Sequence, residues 1–210
     1  MTPHRGASLI ELLVAVAVLA ILATIAVVNM AGAQSRAKVS VALNDLRLLG
    51  NGLAAYYIDH NQFPPGAREE SLDGFRKLFV PVALVPLTTP VAYMTTLMAF
   101  DPFSGSPSPG AFGSVDEVLR HSYVYVHYPD FAVYKGNPRL SRRGYGLTSF
   151  GPDNVDSYGV YRPFPAELPV EATMIGYHHV VDTIFDPTNG TISPGDITRF
   201  GGSLDQMPRG

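Results

Sequence analysis

Hydrophobic and polar positions divide the start of the chain into two helical patterns. Residues 12–35 carry no charged side chain, and residues 12–28 are almost wholly Leu, Val, Ile and Ala, so this stretch is apolar around its full circumference. A helix of that kind has no face for water and is long enough to span a bilayer. At about −0.3 to −0.6 kcal/mol per large aliphatic, the eleven Leu, Val and Ile residues of 12–28 favour insertion by several kcal/mol. From residue 38 the pattern changes. Val39, Leu43, Leu46, Leu49, Leu53 and Tyr57 recur at steps of three and four with Lys38, Asp45, Arg47 and Asp59 between them, which predicts a helix with one face on a core. Gly50 and Gly52 each lower helix propensity by about 1 kcal/mol relative to Ala and permit close packing. The helix is expected to stop near His60 and Asn61, before the Gln-Phe-Pro-Pro-Gly of residues 62–66, because proline restricts the residue before it and cannot continue a helix.

Beyond residue 60 the periodicity shortens. Residues 122–128 alternate aromatic and Val, residues 144–149 read as a strand, and residues 180–185 are expected to pair with residues 197–200. Residues 75–82 and 115–120 are predicted as short helices. A long N-terminal helix packed on a small antiparallel sheet with long loops is an α+β layout. Most of the 20 Gly and 18 Pro fall in this part, as short rigid turns require.

Composition narrows the function classes. The 210 residues suffice for one domain with a core plus an appendage. The formal charge is −3 with no basic run, so no nucleic-acid partner is expected. Cysteine is absent, which excludes disulfides, zinc-thiolate sites and thiol nucleophiles. His178 and His179 with Asp182 could suggest a metal or acid-base site, but on a strand neighbouring side chains face opposite ways and cannot readily share one ion. Glu69-Glu70 and Asp116-Glu117 read as solvated faces, and Asn189-Gly190-Thr191 as part of a turn. No Gly-x-Ser-x-Gly, Walker A or His-Glu-x-x-His occurs. The chain is not expected to be an enzyme.

Glu11 interrupts the apolar run near its start. A carboxylate at the bilayer centre costs about 2.5 to 3.5 kcal/mol on insertion scales. A secretory signal peptide has a shorter apolar region, and a single-span anchor gives no reason for the carboxylate. A third reading does: Arg5-Gly6-Ala7-Ser8-Leu9-Ile10-Glu11-Leu12-Leu13 resembles the signal of type IV pilins and of the pseudopilins of type II secretion. In that family a prepilin peptidase cuts after the Gly on the cytoplasmic side and methylates the new terminus. The resemblance implies cleavage between Gly6 and Ala7, methylation of Ala7, and an assembly role for Glu11, which lies about 6 Å along the helix from the new terminus and can pair with the terminus of an adjacent subunit. Such a pair specifies axial stagger more than stability. Ala7 departs from the family's usual Phe, and Ser8 replaces its Thr. The basic residues Arg5, Arg36 and Lys38 flank the run on both sides, so only this motif places the body outside the membrane.

Later residues extend the resemblance. Tyr56-Tyr57-x-Asp59 followed by Phe63-Pro64, then Asp101-Pro102-Phe103, and Ser149-Phe150-Gly151-Pro152-Asp153 are similar to stretches of the major pseudopilin. Residues 104–143 and 157–185 have no counterpart and read as insertions. The implied organisation is a leader over 1–6, a transmembrane and assembly helix over 7–30, its extracytoplasmic half over 31–61 and a β domain over 62–210. The implied protein is a subunit of a secretion pseudopilus in the bacterial inner membrane, with its body in the periplasm, pushing folded proteins outward. Its partners would be further copies of itself, the prepilin peptidase, the inner-membrane assembly platform with its ATPase, and minor pseudopilins. A type IV pilin for adhesion, motility or DNA uptake is the alternative within the superfamily, and a membrane-anchored binding module the alternative outside it. Family members tie the C-terminal loop with calcium, which makes Asp153 and Asp156, then Asp196, the candidate metal ligands. Where the family has a helix-weakening Gly and Pro, this chain has Ala20 and Val28, so a continuous helix from Ser8 to His60 is expected.

Overall fold

The computed structural model describes residues 8–69, 76–97, 100–105, 121–134, 144–152, 185–186, 188 and 195–202. The chain divides into two units, residues 1–37 and residues 38–210. Helix α1 (Leu9–His60) is 52 residues long and unbroken at Ala20 and Val28, as the loss of both helix breakers predicts. It ends at Asn61, whose φ of 51° is left-handed and whose N–H donates to Tyr57 O at 2.8 Å; Asn tolerates that conformation at a helix C-terminus.

In the first unit the large apolar side chains of α1 from Leu9 to Val27, and that of Met30, are at least half exposed. This is the one helix among the described residues long and apolar enough to cross a membrane, with a mean hydropathy of 2.8 over its most apolar window.

In the second unit α1 buries Ala42, Leu46, Leu49, Leu53 and Tyr56, spaced four, three, four, three. Leu43 and Tyr57, expected in the core, are 46% and 40% exposed. At 100° per residue they fall to one side of the buried stripe, and Tyr57 packs instead on Phe63, with ring centroids 4.7 Å apart.

The sheet has three antiparallel strands in the order β1 (Val124–His127), β2 (Gly144–Ser149), β3 (Ile197–Gly202). Val124 sits opposite Thr148, and Ser149 opposite Ile197. Tyr123, Tyr125, Tyr145 and Leu147 join the α1 stripe in the main core. Val124 and Val126 point the other way, to a second cluster with Leu78, Phe79, Tyr128 and Phe131, as strand alternation requires. On one edge β3 pairs with β2; toward the segment expected to pair with residues 197–200, the described link is Phe185 N–H donating to Asp196 O at 2.9 Å. Residues 180–184 lie outside the described residues, as does the helix predicted over 115–120.

A single helix over 75–82 is corrected. Phe79 forms an isolated bridge with Val124, and α2 (Val80–Ala83) starts only there, with Pro81 in its first turn, where a missing N–H leaves no bond unmade. A 3-10 turn, Val85–Leu87, follows. Helix α3 (Tyr128–Tyr134) went unpredicted, although Pro129 and Asp130 at its start are helix-opening residues. The glycines of α1 act as spacing residues. A Cβ at Gly50 would lie 2.4 Å from Arg199 Nε and one at Gly52 would lie 2.6 Å from Met94 Sδ, so both let neighbouring elements approach the helix.

Candidate functional site

At the N-terminus, Ser8 stands before the first turn of α1. Its Oγ accepts from Ile10 N–H at 3.4 Å, its carbonyl from Leu12 N–H at 3.1 Å, and its own N–H donates to Glu11 Oε2 at 2.8 Å. The first turn of any helix leaves backbone N–H groups without partners. Glu11 returns its carboxylate to one donor at that end, while the helix dipole favours negative charge there. The carboxylate inside the apolar run therefore has an intramolecular partner. In the sequence this contact is carried by Ser8-x-x-Glu11, a capping-box spacing. Gly6 and Ala7 lie outside the described residues.

Farther along, one buried carboxylate joins the two later stretches that resemble pseudopilin sequence. Asp101 Oδ1 accepts from Phe103 N–H at 2.9 Å and Ser149 Oγ at 2.8 Å, and Oδ2 accepts from Phe150 N–H at 2.7 Å. Ser104 Oγ and His121 Nδ1 complete the turn, with Ser104 donating to the carbonyls of Asp101 and His121. Burial pushes the Asp101 carboxyl above its ordinary range, against the pull of the Phe103 and Phe150 amides, the Ser149 hydroxyl and the Lys38 charge. Lys38 Nζ lies 5.8 Å from the centre of the Phe103 ring.

Gly151 continues from this junction with φ of 71°. A Cβ there would sit 2.1 Å from Gly195 O and 3.4 Å from Asp196 Cα, so the turn that leads to Asp153 is pressed against the backbone before β3. Asp196 is fully buried. Asp153 and Asp156 lie outside the described residues, as do His178, His179 and Asp182. Among the described residues no three acidic or His side chains converge enough to hold a metal ion.

A second carboxylate fixes the segment after α1. Asp130 accepts from Gly66 N–H at 2.9 Å and His127 Nδ1 at 2.7 Å, and lies 3.1 Å from Arg68 Nε. Burial acts to raise its pKa, but the His127 and Gly66 hydrogen bonds and the charges of His127 and Arg68 prevail and hold it below the usual carboxylate range. These residues anchor the chain; they present no nucleophile with a base.

Comparison with known proteins agrees with this arrangement. Residues 1–27 match the family model described as the prokaryotic N-terminal methylation motif. The type II secretion system core protein G of Aeromonas hydrophila is 32% identical over 126 residues, covering 54% of this chain and 79% of that protein. No solved structure gives a significant match. With a prepilin-type N-terminus, an apolar helix leading into a small antiparallel sheet, and that coverage of a core protein, the chain belongs to the pilin and pseudopilin superfamily, in the family of type II secretion core protein G.

Proposed function

We propose that this chain is a structural subunit of a type II secretion pseudopilus, stored in the inner membrane and drawn into a filament that pushes folded proteins outward. The observation that carries the reading is the likeness to core protein G over most of that protein's length, together with the methylation motif at the start of the chain. Prepilin peptidase would process the junction at Gly6 and Ala7. An inner-membrane platform with its ATPase would add subunits, and minor pseudopilins would share the filament. The chain contributes a membrane-held form and a polymeric form, and no chemistry.

Glu11 then has two tasks in succession. In the subunit its Oε2 closes the first turn of α1; in the filament its charge faces the terminus of a neighbour and rewards one axial stagger. Glu11→Gln keeps an oxygen for the Ser8 amide and removes the charge. Sheared filaments should become scarce while membrane-inserted subunit stays at wild-type level. Wild-type filament yield in Glu11→Gln would confine Glu11 to capping.

We further propose calcium as the tie for the loop that follows Gly151, held by Asp153 and Asp156 with Asp196 beside them. The support is the contact of Gly151 with the backbone of residues 195 and 196 and the suitability of carboxylate oxygens for that ion. A site of this kind stabilises by about 2.7 kcal/mol at a hundredfold excess over its dissociation constant. Equal melting temperatures in calcium and in chelator would remove it.

A further inference from the structure

Arg199 lies on β3 opposite Leu147, a residue of the core shared with α1, so its side chain falls on the helix side of the sheet. It rests against Gly50, and its Nε is buried without a hydrogen-bond partner. Arg47 stands one turn earlier on α1 and is exposed. Neither arginine has a carboxylate in ion-pair range among the described residues.

Positions 43, 47, 50, 54 and 58 follow one another at steps of three and four, so they form one flank of α1. Upward, that flank opens into a groove of about 860 Å³ lined by Ala54, Tyr57, Ile58, Tyr145 and Gly202. The opposite flank is acidic beyond Lys38, which stands two turns before Asp45. It carries the half-buried Asp45 and the exposed Asp59, next to the exposed Val41 and Leu48. Tyr123 donates to Asp45 Oδ2 at 2.9 Å and Tyr93 to Asp59 Oδ2 at 2.7 Å, and no described residue donates to the other oxygen of either carboxylate.

The helix with the strand packed on it thus has a cationic, partly apolar flank, Arg47 of α1 beside Arg199 of β3 with its unsatisfied buried donor, and an anionic, partly apolar flank with spare acceptors. Two different, complementary patches on one chain are what a head-to-tail interface requires, and such interfaces propagate as open helical filaments. We propose that Arg199 and Arg47 form a carboxylate seat that receives the Asp45 and Asp59 flank of a second copy of this chain. The inference rests on the filament reading above and names the surface through which copies meet.

Charge exchange in the full-length chain tests it. Arg47→Glu/Arg199→Glu gives a chain acidic on both flanks, and Asp45→Lys/Asp59→Lys one basic on both, so each alone should yield filaments about tenfold below wild type. Expressed together they should recover most of the yield, because only mixed contacts pair opposite charges. The absence of native cysteine lets a cysteine pair at Ala54 and Leu48 report the same contact by disulfide ladders in wild-type background. Should a reversed chain fail to fold, Arg47→Gln/Arg199→Gln is read instead, with loss of filaments and unchanged melting temperature expected. Wild-type yield from any of these variants that folds, or a mixture no better than its parts, overturns the proposal. No filaments from the unmodified chain under the same conditions would instead count against the filament reading.

Discussion

The two halves of α1 share one continuous backbone and differ in what covers their side chains. From Leu12 to Val27 the helix is apolar on every side and its large side chains are at least half exposed, the pattern that suits a bilayer rather than a core. From Ala42 to Tyr56 a single stripe is buried to 8% exposure or less against tyrosines and leucines of the sheet domain. A core needs one face; a bilayer span needs all of them. The difference is therefore one of surroundings, with secondary structure held constant.

Substitution can break that comparison most strongly in the buried half. Leu49→Ala should lower the unfolding free energy by about 2 to 5 kcal/mol, whereas Leu19→Ala, on the apolar half, should leave the melting of the sheet domain unchanged. Thermal denaturation of both variants in the same detergent decides it, and equal losses would mean the two halves share one cooperative core.

A smaller loss is expected at the turn after β2. Gly151→Ala meets both a left-handed φ and a backbone carbonyl 2.1 Å from the new Cβ, so a cost of about 1 to 3 kcal/mol should appear in chemical denaturation. Gly105, with φ of 77° and open space around it, is the control for conformation alone, and its Ala variant should lose less.

The mildest effect concerns pH. Asp130 has a folded pKa below its unfolded one, so its contribution is complete above the unfolded value of about 3.9 and is lost as pH falls through the lowered folded value. Asp130→Asn should flatten the acid limb of stability below about pH 4, leaving the neutral plateau lower. An unchanged acid limb would show that the Gly66 and His127 contacts do not act through this charge.

Much of the fold could be read from residue order alone. Residues 144–149 were expected as a strand and form β2; the stop of α1 at His60 followed from Asn61 and the prolines. These are local signals, carried by alternation and turn chemistry. The failures were non-local. The pairing of β2 with β3 joins segments about fifty residues apart, and the exposure of Leu43 and Tyr57 depends on the angle at which the sheet meets α1, neither of which a periodicity records. Two further features are local in the sequence: Ser8 with Glu11 at the start of α1, and Pro129 with Asp130 at the start of α3. The Asp101 junction was half legible. Both of its stretches were recognised, but that one carboxylate connects residues 103, 149 and 150 needed the folded chain.

The central claim is that α1 is retained, as the first element of a processed filament subunit, and the mass of the mature N-terminus tests it most directly. Mass spectrometry of the chain purified from a host with a prepilin peptidase should find an N-terminal peptide beginning at Ala7 with one added methyl group and continuing into residues 8–30. A terminus anywhere after residue 25 would show an ordinary cleaved signal sequence and contradict the account.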